Sequence, residues 1–94
     1  MSTVQTLHIR IEGHVQGVGY RAWAEYNARA MGLRGWVRNR RDRSVEMVLH
    51  GPSDDVADMV RCCERGPPGA RVTRVEILGE VAGTFDGFKV LPTA

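Results

Sequence analysis

The sequence predicts an α+β domain with two helices packed on one face of an antiparallel sheet. Three observations carry that reading. Apolar and polar residues alternate in several short runs, two intervening segments space their apolar residues for a helix, and glycine or Gly-Pro breaks separate them.

Leu7, Ile9 and Ile11 alternate with His8, Arg10 and Glu12, the period of a half-buried strand, and Gly13 ends it. Residues 1–6 precede the pattern and read as a loosely ordered tail. Residues 14–20 hold Gly17 and Gly19 and read as a loop. A helix follows from about residue 21 to 31, with Tyr20, Ala24, Ala28 and Met31 along its apolar stripe. Leu33, Gly35, Val37 and Asn39 alternate with Arg34, Trp36 and Arg38 as a second strand. After a polar turn at 40–43, Val45, Met47 and Leu49 alternate with Ser44, Glu46 and His50 as a third, so the pair reads as a hairpin. Gly51-Pro52 breaks it. Ser53 can cap a second helix with Asp54 and Asp55 in its first turn. Val56, Met59, Val60 and Cys63 form that helix's buried face, and Gly66-Pro67-Pro68 stops it. Thr73, Val75 and Ile77 read as a fourth strand, Phe88 and Val90 as a short last one. The order β-α-β-β-α-β with a final strand is the split-βαβ, ferredoxin-like two-layer sandwich. Nothing divides the chain, so residues 1–94 read as one domain.

Composition narrows the function classes. Thirteen basic against eleven acidic side chains leave a net charge of +2, too small an excess to imply a polyanion partner. No apolar run approaches the roughly 18 residues of a membrane span, so no membrane partner is expected. Residues 1–6 lack the basic start and apolar stretch of a secretory signal. Cys62 and Cys63 are adjacent, cannot close a useful loop and have no CxxC spacing; they read as reduced thiols in a cytoplasm. His8, His14 and His50 share no ligand spacing, so no metal site is expected.

Topology places the chemistry. Strands one and two are joined through a helix and run in the same direction, even with another strand between them. The loop after strand one and the end of strand two therefore meet at one end of the sheet. Residues 14–20, Arg21 and Asn39 come together there. A glycine-rich loop feeding a helix is suited to an anion: its amides can turn inward as a nest, and the helix start adds unpaired donors and a positive dipole. Arg21, in the first helical turn, opposes that dipole. Its guanidinium fork matches two phosphate oxygens, and an anion between it and the helix end would explain its position.

The run Gly13-His14-Val15-Gln16-Gly17-Val18-Gly19-Tyr20-Arg21 resembles the acylphosphatase signature G-x-V-Q-G-V-x-[FY]-R. Gly35-Trp36-Val37-Arg38-Asn39, followed by Val45-Glu46, resembles that family's second motif. Gly66-Pro67-Pro68 and Phe88-Lys89-Val90 also match, so the likeness runs from about Leu7 to Val90. The resemblance implies a metal-free and cofactor-free hydrolase that splits the carboxyl–phosphate bond of small acyl phosphates. It implies that the amides of Val15, Gln16, Gly17, Val18, Gly19 and Tyr20, with the Arg21 guanidinium, hold the phosphoryl group, and that Asn39 orients the attacking water. A cytoplasmic monomer is the expectation. One departure stands out: the family's turn usually reads Asp-Gly, and here it is Asp42-Arg43. If Arg43 keeps a positive φ, it costs roughly 1–2 kcal/mol relative to glycine.

Plainer readings exist for each residue. The loop alone could be an ordinary β-to-α connection, Arg21 could pair with Glu25 one turn on, and Asn39 could bond its own backbone in a turn. An RNA-binding module shares the topology, but it stacks bases on aromatics in its first and third strands, and neither run here contains one. Nucleic acid is therefore an unfavoured partner. A noncatalytic phosphate-binding module is the other alternative.

Overall fold

A central strand with both faces covered organises the molecule. The structure, a computed structural model, describes residues 3–94. Its elements are β1 (Val4–His14), α1 (Tyr20–Ala30), β2 (Arg34–Asn39), β3 (Val45–Pro52), α2 (Ser53–Arg65), β4 (Arg71–Glu80) and β5 (Phe88–Val90). The sheet order is β4-β1-β3-β2-β5. β3 lies antiparallel to both β1 and β2, so β1 and β2 run in the same direction with β3 between them. The two crossovers put both helices on one face.

The buried side chains follow from that layering. Leu7, Ile9 and Ile11 of β1 sit opposite Leu49, Met47 and Val45 of β3. They meet Tyr20, Ala24 and Ala28 of α1 and Val56, Met59 and Cys63 of α2 in one core. Val60 is partly buried at its margin. Each fully buried aliphatic side chain contributes about 1.5–3 kcal/mol of transfer free energy.

Four details depart from the sequence reading. The sheet is mixed, not antiparallel, because β5 pairs with β2 in parallel. β4 opposes β1, and the 81–87 connection carries the chain to the far edge and reverses it, so β5 must run with β2. β1 starts at Val4, opposite Pro52, so the expected tail is strand from Val4 onward; Met1 and Ser2 lie outside the described residues. Ser53 does not cap α2. Pro52 occupies the cap, and the Ser53 amide donates to the Thr3 carbonyl at 2.7 Å. On β4, strict alternation fails because the register against β1 steps over Thr73 and Leu78. A bulge re-aims an edge strand: the one at Thr73 turns Val72 to the core with Val75, whereas Ile77 keeps the phase of Val75 and stands 59% exposed.

Candidate active site

The loop after β1 is shaped by two glycines. Gly17 and Gly19 take φ of 75° and 80°, and their flanking residues have no positive φ. Left-handed residues alternating with right-handed ones turn successive amides to one side, the geometry of an anion nest. A Cβ at either glycine would meet nothing within 4 Å, so the backbone conformation, not space, calls for glycine.

Gly19 is also the N-cap of α1, and no side chain caps that end. Its first turn holds no acidic residue, in contrast with Asp54 and Asp55 at the start of α2. The first-turn amides of α1 are left to an external acceptor. The chain is anchored on both sides of this opening. Val15 is fully buried, and the Tyr20 ring packs in the core with its hydroxyl donating to the Cys63 carbonyl at 2.7 Å. Burial raises the Tyr20 pKa well above the ordinary phenol range, so the hydroxyl stays a neutral donor. Burial likewise pushes the Cys63 thiol up to about 12, which removes it as a nucleophile.

Gln16 joins the loop to the β2–β3 hairpin. Its carboxamide donates to the Arg40 carbonyl at 2.8 Å and to the Ser44 carbonyl at 2.9 Å. Both hydrogens of its Nε2 are thereby committed to the hairpin. Around the hairpin turn, the Arg43 amide donates to the Arg40 carbonyl, and Ser44 donates to Asp42 Oδ1 through both its amide and its hydroxyl.

These elements form one cavity of about 340 Å³, lined by Val15, Gln16, Gly17, Gly19, Tyr20, Arg21, Ala22, Glu25, Asn39 and Val90. Of the residues expected there, Val18 alone does not line it; its side chain packs against the core instead. Arg21 and Asn39 are half-buried. Among the described residues, neither the Arg21 guanidinium nor the Asn39 carboxamide has a hydrogen-bond or ion-pair partner. Glu25, the plainer partner for Arg21, pairs with Arg29 at 3.2 Å. The motifs gave Ala22, Glu25 and Val90 no place in the site: Ala22 and Glu25 follow Arg21 on α1, and Val90, though part of the matched Phe88-Lys89-Val90 run, is brought there by the parallel pairing of β5 with β2.

Fold and site define a class: a small ferredoxin-like α+β domain with a positive-φ glycine loop, a helix start without a side-chain cap and, among the described residues, an unpaired arginine. The acylphosphatase family model matches residues 7–90. An acylphosphatase of Bradyrhizobium diazoefficiens is 53% identical, the alignment covering 93% of this chain and 94% of that one. The solved structure of an acylphosphatase from Coxiella burnetii superposes with a TM-score of 0.89 at 30% identity, covering 94% and 93% of the two chains. The full-length HypF structure in its phosphate- and nucleotide-bound form superposes at 0.87 with 25% identity, over 99% of this chain and 12% of that larger protein. The chain belongs to the acylphosphatase family. Membership makes it a hydrolase acting on acid anhydrides, and the anhydrides this family hydrolyses are acyl phosphates.

Proposed function

We propose that this chain hydrolyses small acyl phosphates by a metal-free, cofactor-free attack of water on a phosphoryl group held in the nest. The amides of Val15, Gln16, Gly17, Val18, Gly19 and Tyr20 and the Arg21 guanidinium hold the phosphoryl oxygens. Asn39 orients the water. The observation that carries this reading is the pairing of two uncommitted side chains, Arg21 and Asn39, on one cavity with the positive-φ glycine loop.

The chemistry needs little more. Phosphoryl transfer asks mainly for positioning and for stabilised charge on the equatorial oxygens. The water oxygen bonds to phosphorus, the bond from phosphorus to the acyl oxygen breaks, and its electron pair leaves as a carboxylate. A carboxylate is a good leaving group and needs no general acid. A carboxamide takes no proton, so the water's proton passes to the phosphate or to solvent. A cytoplasmic monomer belongs to the same proposal.

Hydrolysis of acetyl and benzoyl phosphate, with and without a chelator, tests the reading. Turnover unchanged by chelator, with little action on ordinary phosphate monoesters, is expected. Activity lost in chelator and restored by a divalent ion contradicts it. Phosphate binding without any turnover would identify a noncatalytic phosphate-binding module instead.

A further inference from the structure

The Asn39 carboxamide has no side-chain tether among the described residues, so its aim is set by its backbone. That backbone is gripped on three sides. The Ala94 amide donates to the Asn39 carbonyl at 3.1 Å, and Gln16 holds the next carbonyl, that of Arg40. The third grip lies on the opposite, helix-free face of the sheet. Arg38 and Arg40 flank Asn39, and both donate to Glu46 Oε1, from Arg38 Nε at 2.7 Å and from Arg40 Nη1 at 2.9 Å. His8 Nε2 lies 2.5 Å from the other oxygen, Oε2. Glu46 stands directly opposite Arg38 in the β2–β3 register, with its side chain only 6% exposed. The Arg38 guanidinium also lies over the Trp36 ring, 4.7 Å from its centre. The neighbouring Arg10 is engaged elsewhere, with Glu12, Asp42 and Glu76. Charge-assisted bonds to a carboxylate so removed from water are short and geometrically selective.

We propose that Glu46 is a positioning residue for the reaction: it clamps the side chains on either side of Asn39 and so holds the carboxamide toward the cavity from behind. The inference rests on the reading of Asn39 as the group that orients water. It assigns a task to a carboxylate that touches neither substrate nor loop.

Steady-state turnover of acetyl phosphate, calorimetric titration with inorganic phosphate and thermal melts on Glu46→Gln, Asn39→Ala and the double variant test it. Glu46→Gln is expected to lower kcat roughly tenfold, since a misplacement of about 1 Å can cost 10²-fold. Its phosphate affinity should stay near that of the parent, because the nest is untouched. The double variant should turn over no more slowly than Asn39→Ala alone, the non-additivity of two residues acting through one group. A lowered melting temperature with parental kcat, or additive losses in the double variant, overturns the inference and leaves the reading of Asn39 standing. Parental kcat in Asn39→Ala overturns both. If Glu46→Gln does not fold, Arg40→Met breaks one arm of the clamp and carries the same cycle, with the same outcomes deciding it.

Discussion

Arg43 is the only described residue other than glycine with a positive φ, at 77°. The L-configured side chain is strained there by about 1–2 kcal/mol, and no ion pair of Arg43 offsets it among the described residues. Arg43→Gly is therefore expected to raise stability, by less than about 1–2 kcal/mol because glycine also loosens the unfolded chain. Denaturant melts check this, and a clear loss would show that the arginine is favoured where it stands. Gly17 and Gly19 present the converse. Gly19→Ala meets no atom but forces a methyl onto a left-handed backbone, so it should cost roughly 1–2 kcal/mol. It should also weaken phosphate binding, as the amides re-aim; titration with phosphate reads that directly. At this scale the sequence was informative about Arg21, Asn39 and the loop glycines, because their types are unusual for a helix start, a strand end and a turn. It was silent on what Gln16 does with its side chain, since the two carbonyls it bonds lie 24 and 28 residues away.

Among the elements, β3 shows why alternation is an incomplete guide. The run Ser44 to His50 reads as half-buried, yet Val45, Glu46, Met47, Val48 and Leu49 are all buried. A central strand has neighbours on both edges, and here its polar face is covered by the charge cluster around Glu46. Burial alone would raise the Glu46 pKa, but the hydrogen bonds from Arg38, His8 and Arg40 and the nearby Arg38 charge outweigh it and hold the group at about 2, below its ordinary 4.5. A depressed carboxylate stabilises the fold above the unfolded value and loses that contribution as pH falls through the folded one. The stability advantage of the parent over Glu46→Gln should therefore be full above pH 4.5 and shrink toward pH 2. Paired denaturant melts across that window measure it, and an advantage that does not change with pH would contradict the charged clamp. β4 is the opposite case. Of its expected inward residues only Val75 packs on the core; Thr73 is displaced by a bulge that no local pattern announces, and Ile77 is exposed.

Across the whole molecule, the site is a meeting of distant segments: the loop after β1, the start of α1, the end of β2 and the parallel edge strand β5. The first three were legible because one crossover fixes the direction of β1 and β2. The contribution of β5 was not, because it depends on which edge the last strand joins. A ligand held by all of them must couple to folding. Inorganic phosphate roughly tenfold above its Kd should stabilise the protein by about 1.4 kcal/mol. That corresponds to a rise of roughly 5–10 °C in Tm for a domain of this size. Thermal melts at constant ionic strength check this, and no rise would count against the nest. The proposed division of labour within the cavity sets Arg21 on the phosphate and Asn39 on the water. Calorimetric phosphate titration of Arg21→Ala and Asn39→Ala, read beside their turnover of acetyl phosphate, tests it most directly. Arg21→Ala should lose phosphate affinity and turnover together. Asn39→Ala should keep phosphate affinity and lose about 10²-fold or more in kcat, the mark of an interaction made only on the way to the transition state. Near-parental kcat in Asn39→Ala, or parental phosphate affinity in Arg21→Ala, would contradict the account.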